Sequence, residues 1–130
     1  MRFGEYLGNW SFGSGRMTVS LSAFGTEGNG LCVLLTGGES AHVGGVAYAA
    51  PRNKSNGDGI TADISTICGA GHKDVYAAAI AAKKICVSLN ETTCVAAGIH
   101  VDHATADELE LINKNVEYVA DAFIASYKSK

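Results

Sequence analysis

Three of the chain's four histidines fall within residues 69–104, each where a regular pattern gives way to a loop. His72 and Lys73 follow Gly69-Ala70-Gly71 and open an alanine-rich run, with Asp74 next; His100, Asp102 and His103 leave a short apolar run and precede a second helical pattern. The first group suits an anion. Amide hydrogens at a helix start lack intrahelical partners, the helix dipole is positive there, glycines allow close approach, and a lysine adds a point charge. A phosphate or carboxylate fits such a start. The plain structural alternative is a glycine turn, with His72 or Asp74 stabilising the helix start and Lys73 facing water. The Gly-x-x-x-x-Gly-Lys-Ser/Thr spacing of nucleotide hydrolases is not met.

In the second group His100 and Asp102 stand two apart on extended chain and share a side, while Val101 points the other way. If the alanine-rich helix joins two parallel strands, the residues entering it and those leaving the second strand meet at one edge of the sheet. That predicts a constellation of His72, Lys73, Asp74, His100 and Asp102. Two imidazoles and a carboxylate hold zinc or iron, work as an acid/base pair, or form a polar cluster that fixes loops. A metal-dependent enzyme using His72, His100 and Asp102 is therefore one functional class to weigh. His42, near the start of a third strand, and Arg52, just past its end, reach the same edge only if the strand order puts them there. Each has a plain alternative: a structural histidine, and an arginine facing solvent rather than an anion. Nucleophile elbow, serine triad order, dinucleotide glycine fingerprint and zinc-ribbon spacing are all missing, so catalysis has little support.

The elements that must position these residues follow from periodicity. Residues 1–15 suggest a loosely specified strand or arm. Residues 17–24 alternate, with Met17, Val19, Leu21 and Ala23 on one side, as in a half-buried strand. Residues 31–36 are continuously apolar and predict a central strand covered on both faces, paired with its predecessor as a hairpin. Residues 41–50 give a third strand ended by Pro51-Arg52; its Gly44, Gly45, Ala47, Ala49 and Ala50 leave a smooth surface for a helix or a flat ligand. Residues 60–68 give a fourth strand and 92–99 a fifth. A helix over 72–89 has its stripe at Val75, Ala79, Ala82, Cys86 and Leu89. A second helix opens at a capping box, Thr105 to Glu108, and carries Leu109, Ile112, Val116, Val119, Phe123 and Tyr127. The fold expected is α+β: a mixed sheet of about five strands, an antiparallel meander finished by one right-handed β-α-β crossover, with two helices on one face.

With 130 residues, the chain has room for a single domain spanning 1–130. A formal charge of −3 offers no basic field for nucleic acid. No stretch approaches a membrane span and no apolar signal core opens the chain, so a cytoplasmic protein is expected. Cys32, Cys68, Cys86 and Cys94 lie in apolar runs without CxxC spacing, as buried free thiols of a reducing compartment do.

Three motifs together resemble a known family. Thr36-Gly-Gly-Glu-Ser-Ala-His-Val-Gly-Gly-Val-Ala, Gly71-His-Lys-Asp and Gly98-Ile-His-Val-Asp-His-Ala, in this order and near these separations, are similar to the LpdD-like prenylated-flavin chaperones, over residues 17–116. The resemblance implies a small, homodimeric, non-catalytic protein with a proteasome-assembly-chaperone-like fold. It implies binding of prenylated flavin mononucleotide (or a similar flavin phosphate) and assistance to a UbiD-type decarboxylase of hydroxyaromatic acids. The motif positions carried over as cofactor-binding are His42, Gly71, His72, Lys73, Asp74, His100 and Asp102. Two positions depart from the pattern: His103 stands where a small polar residue such as Asn is expected, which leaves room for a divalent metal, and Gly44-Gly45 where Gly-Ala is expected. The rival classes are the metal-dependent enzyme and a ligand-free assembly chaperone, whose dimer could use the stripe of the second helix.

Overall fold

Alternation of apolar and polar side chains sets the sheet's inner face, and a computed structural model, which describes residues 4–71 and 74–129, shows where each strand lies in it. In β2 (Val19–Gly25) the side chains of Val19, Leu21 and Ala23 are fully buried and those between them turn away. Met17, expected at the head of this strand, belongs to a single 3-10 turn (Gly15–Met17) and still packs against the core. The arm expected at the N-terminus is a full strand, β1 (Glu5–Phe12), paired antiparallel with β2 and broken by a bulge between Tyr6 and Gly8. β3 (Leu31–Gly38) completes the hairpin with β2. β4 (Gly45–Asn53) and β5 (Ile60–Cys68) form a second antiparallel pair, α1 (Asp74–Leu89) follows, and β6 (Thr93–His100) leads to α2 (Ala106–Lys128).

The sheet is mixed and six-stranded, in the order β1-β2-β3-β6-β4-β5. The α+β class expected from the sequence is thus observed, with β1 as the strand beyond the five expected. The meander stops after β3. β6 inserts between the two halves, parallel to β3 and antiparallel to β4. β5 and β6 do run in the same direction across α1, as a crossover requires, yet β4 lies between them. Continuous apolar sequence in β6 suits that central position, but periodicity carries no information on which strands are neighbours. β4 also runs on through Pro51 and Arg52. Its pairing with β6 ends at Ala49, so Pro51 is asked for no ladder bond on that side, while pairing with β5 continues to Asn53.

Both helices cover one face, α1 over β4, β5 and β6 and α2 over β1 and β2, and they touch each other. The stripe of α1 is rotated from the one expected: Ala82 and Cys86 are buried as foreseen, but Ala77, Ala78, Ala81 and Ile85 join them, and Val75, Ala79 and Leu89 are only half-buried. Alanines on several sides give the helix a weak phase. The smooth surface of β4 accommodates this helix: a side chain on Gly45 would sit 2.7 Å from the Val75 backbone nitrogen, so only glycine lets α1 come so near. In α2 the capping box forms as spaced, with Ile112, Val116, Val119 and Phe123 buried, Tyr127 half-buried and Leu109 exposed. Trp10 of β1 packs on Phe123 at 5.2 Å between ring centroids. Asn115 is buried too, its Nδ2 donating to the Met17 carbonyl at 2.8 Å.

Two expectations about burial are corrected. β3 is covered on one face only, since both helices lie on the same side, and Cys32 and Leu34 are exposed. All four cysteines are free, but only Cys86 is buried; Cys32 and Cys68 are exposed. Among the described residues no helix is long and apolar enough to cross a membrane.

Gly45→Ala should force α1 away from the sheet and cost ~1–3 kcal/mol, as overpacking of a closed contact does. Urea unfolding followed by circular dichroism measures it, and an unchanged midpoint would refute the close approach.

Candidate ligand site at the sheet edge

β3, β5 and β6 run in one direction, so their carboxyl ends share an edge of the sheet, and β4 begins there. Residues 39–44 link β3 to β4 by passing over the end of β6. The Glu39 amide donates to the His100 carbonyl at 2.6 Å and the Gly44 amide to the Ala97 carbonyl at 2.8 Å. The link lies directly on β6, because any side chain on Gly98 would collide with the backbone carbonyl of His42. This places His42 beside His100, with ring centroids 6.4 Å apart.

His42 is held through both ring nitrogens. Nε2 lies 2.9 Å from Asp74 Oδ2 and Nδ1 lies 3.2 Å from the Ser40 carbonyl. Both partners only accept, so satisfying both requires the doubly protonated imidazolium. The Ser40 carbonyl raises the His42 pKa most and the Asp74 carboxylate adds to it, against an opposing effect of partial burial. Asp74 is itself 8% exposed, and its Oδ1 accepts from the Ile99 amide at 2.8 Å. One carboxylate thus joins the first turn of α1, the 39–44 link and the end of β6.

His100 and Asp102 share a side as their spacing predicts, with Nε2 2.7 Å from Asp102 Oδ1, and both are exposed. The Asp102 backbone is clamped at each end: its amide donates to Glu39 Oε1 at 2.8 Å and its carbonyl accepts from Arg16 Nη1 at 2.9 Å. Arg16 Nη2 reaches both oxygens of Glu108 at 2.8 and 2.9 Å and Nη1 lies 3.2 Å from Glu39. Glu108 is also the capping-box residue of α2. The Thr105 amide, then Arg16, holds its carboxyl below the usual carboxylate range.

A pocket of about 300 Å³ opens between these groups. His42, Gly71, Asp74 and His100 line it together with the apolar Ala77, Ile99, Val101, Leu109 and Ile112. Four of the seven positions singled out from the sequence therefore line one cavity. Asp102 stands behind His100, and His72 and Lys73 lie outside the described residues. Arg52 is at the opposite edge, paired with Asp63 at 2.9 Å, because β4 runs away from the site. His103 occupies a left-handed turn at φ 50°, a conformation that Asn adopts more readily than most residues. Sequence reasoning missed the apolar lining, having assigned Leu109 to the core stripe, and it missed the Arg16–Glu39–Glu108 brace. Only the capping box hinted at the latter, through Glu108.

The metal alternative depended on His72, which is not among the described residues. Those described contain no group of three or more His, Cys, Asp or Glu placed to hold an ion.

The structure is thus a small α+β domain with a pocket of mixed polar and apolar lining at the carboxyl edge of its sheet. The chain belongs to the prenylated flavin chaperone LpdD-like domain family, whose model matches residues 13–128. The match takes in β2 through α2 and every residue lining the pocket. No protein of curated function matches the chain.

Because folding raises the His42 pKa above its unfolded value near 6.5, this group's stabilisation is complete below about pH 6.5 and is lost as pH rises through the folded value. Urea midpoints for the wild type should fall across that window, and His42→Gln should flatten the fall. Ring-proton NMR should put the His42 midpoint above 6.5, with Asp74→Asn lowering it only in part, since the Ser40 carbonyl remains. A midpoint at or below the unfolded value would contradict the double anchoring.

Proposed function

We propose that this protein is a non-catalytic accessory protein that binds prenylated flavin mononucleotide at the sheet-edge pocket and assists its delivery to, or maturation in, a UbiD-type decarboxylase of hydroxyaromatic acids. The observation that carries the reading is the pocket of mixed lining in a chain of this family, with His42, Gly71 and His100 as well as Leu109 and Ile112 around it. A flavin nucleotide has the same mixed character, phosphate at one end and a flat, largely apolar ring at the other. The positive end of the α1 dipole favours a phosphate, and Lys73 precedes the helix in sequence. Asp74 is held by the His42 ring at 2.9 Å and by the Ile99 amide at 2.8 Å, which offsets its opposition to a phosphate.

At about 300 Å³ the cavity is at the lower end of ligand pockets, so the phosphate and ribityl chain fit inside and the ring extends past the exposed Leu109. When bound, the cofactor supplies the electron-accepting ring that the decarboxylase needs. The residues of this chain hold and orient it. His42 is held through both ring nitrogens, and Asp102 orients the His100 ring through Nε2. Free thiols fit a reducing cytoplasm as the place of action.

Titration with prenylated flavin mononucleotide, ordinary flavin mononucleotide and riboflavin, followed by absorbance and fluorescence, tests this. Saturable binding of both phosphates is expected, with riboflavin weaker. Lys73→Ala or His100→Ala should weaken the phosphates by about tenfold or more, the loss of one charge-assisted hydrogen bond, and leave riboflavin nearly unchanged. Absence of a saturable change with either phosphate removes the proposal.

A further inference from the structure

On the side of the sheet turned away from the helices, residues fall in registered rows, and one row sets two cysteines next to each other. β3 and β6 are parallel with Cys32 opposite Cys94, Phe24 of β2 flanks Cys32, and Tyr48 of β4 flanks Cys94. Registered residues of neighbouring strands, which stand about 4.8 Å apart, project to the same side, so the two thiols lie side by side. That spacing falls within the roughly 4.4–6.8 Å between Cα atoms that a disulfide spans. The other two cysteines have no such neighbour: Cys68 stands opposite Gly45 on the edge strand β5, and Cys86 is buried on α1.

The two sulfurs differ in a way that assigns them roles. Cys32 is exposed, whereas Cys94 is half-buried. Burial, and after it the adjoining Cys32 thiol, raises the Cys94 pKa, so at neutral pH Cys94 stays protonated and the first attack on an outside reagent falls to Cys32. A second attack, by Cys94 on a modified Cys32, is intramolecular, and proximity of this kind outweighs a small thiolate fraction. Phe24 and Tyr48 on the outer sides cannot exchange with sulfur, which leaves each cysteine the other as its partner.

We propose that Cys32 and Cys94 form a reversible modification site that reacts with low-molecular-weight disulfides of the glutathione class and ends as an intrachain disulfide joining β3 to β6. The Cys32 thiolate attacks one sulfur of glutathione disulfide; a bond forms to Cys32, the glutathione S–S bond breaks, and one glutathione leaves as thiolate. The Cys94 thiolate then attacks the Cys32 sulfur and releases the second glutathione. In sum the two protein thiols give up two electrons and two protons, and one glutathione disulfide becomes two glutathione thiols. In a reducing compartment the pair rests as a dithiol, and excess glutathione reverses the bond through its exposed sulfur. The assignment does not depend on flavin binding, because the pair lies near the amino ends of β3 and β6, away from the carboxyl edge that carries the pocket.

Incubation of the full chain with glutathione disulfide, followed by alkylation of the remaining thiols and peptide mass spectrometry, tests it. In the wild type the segment holding Cys32 should be joined to the segment holding Cys94, with Cys86 alkylated; cleavage after Glu91 separates those last two. Cys94→Ser should instead keep glutathione on Cys32, about tenfold more of it than the wild type at the same time, since the intramolecular step is lost. Cys68→Ser, which removes the other exposed thiol, should form the link as the wild type does. A wild type that retains glutathione on Cys32, that links Cys32 only between two chains, or whose Cys32 remains alkylatable throughout overturns the proposal. The wild-type map needs no variant, so it decides even where a substitution fails to fold.

Discussion

A carboxylate buried at the start of a helix survives only if donors answer it, because a charge taken out of water without partners costs several kcal/mol. Asp74 meets that condition with two donors from two other segments, the Ile99 amide and the His42 ring. The consequence is geometric. α1 cannot shift along the sheet without uncovering the charge, and residues 39–44 cannot lift from β6 without leaving it half-paired. The pocket is the space this lock leaves between the helix start, the end of β6 and the start of α2.

The sheet order makes the lock possible. With β6 between β3 and β4, the ends of the two hairpins and the crossover helix converge on one edge. Had β4 simply followed β3, the 39–44 link would be a tight turn with no reason to cross β6, and His42 would not meet His100. A second brace, Arg16 on Glu108 and Glu39, ties the 3-10 turn and the cap of α2 to the same edge. Polar contacts thus hold the rim of the pocket, while its floor is continuous with the core through Ala77 and Ile112.

Much of this was legible in the sequence, for physical reasons that differ by residue. Alternation at Val19, Leu21 and Ala23 and the capping box at Thr105 and Glu108 are local signals, and both elements lie where those signals put them. The sharing of one side by His100 and Asp102 followed from strand period alone. The place of β6, the fate of His42 and the exclusion of Arg52 depend on which strands pair, a long-range property that no window of sequence records. Alanine runs gave α1 its existence but not its phase. Leu109 continued a core stripe in one dimension and turned out to stand at the mouth of a cavity, since helix periodicity cannot say where the neighbouring layer ends.

The central claim, that the lock around Asp74 frames a site for a flavin phosphate, is tested most directly by a crystal structure of the chain with flavin mononucleotide. The account predicts the phosphate between His100 and the Gly71 amide, with the ring leaning on Leu109 and the His42–Asp74 contact intact. A flavin lying elsewhere, on the open sheet face for instance, or one that enters only by breaking the His42–Asp74 contact, would contradict it.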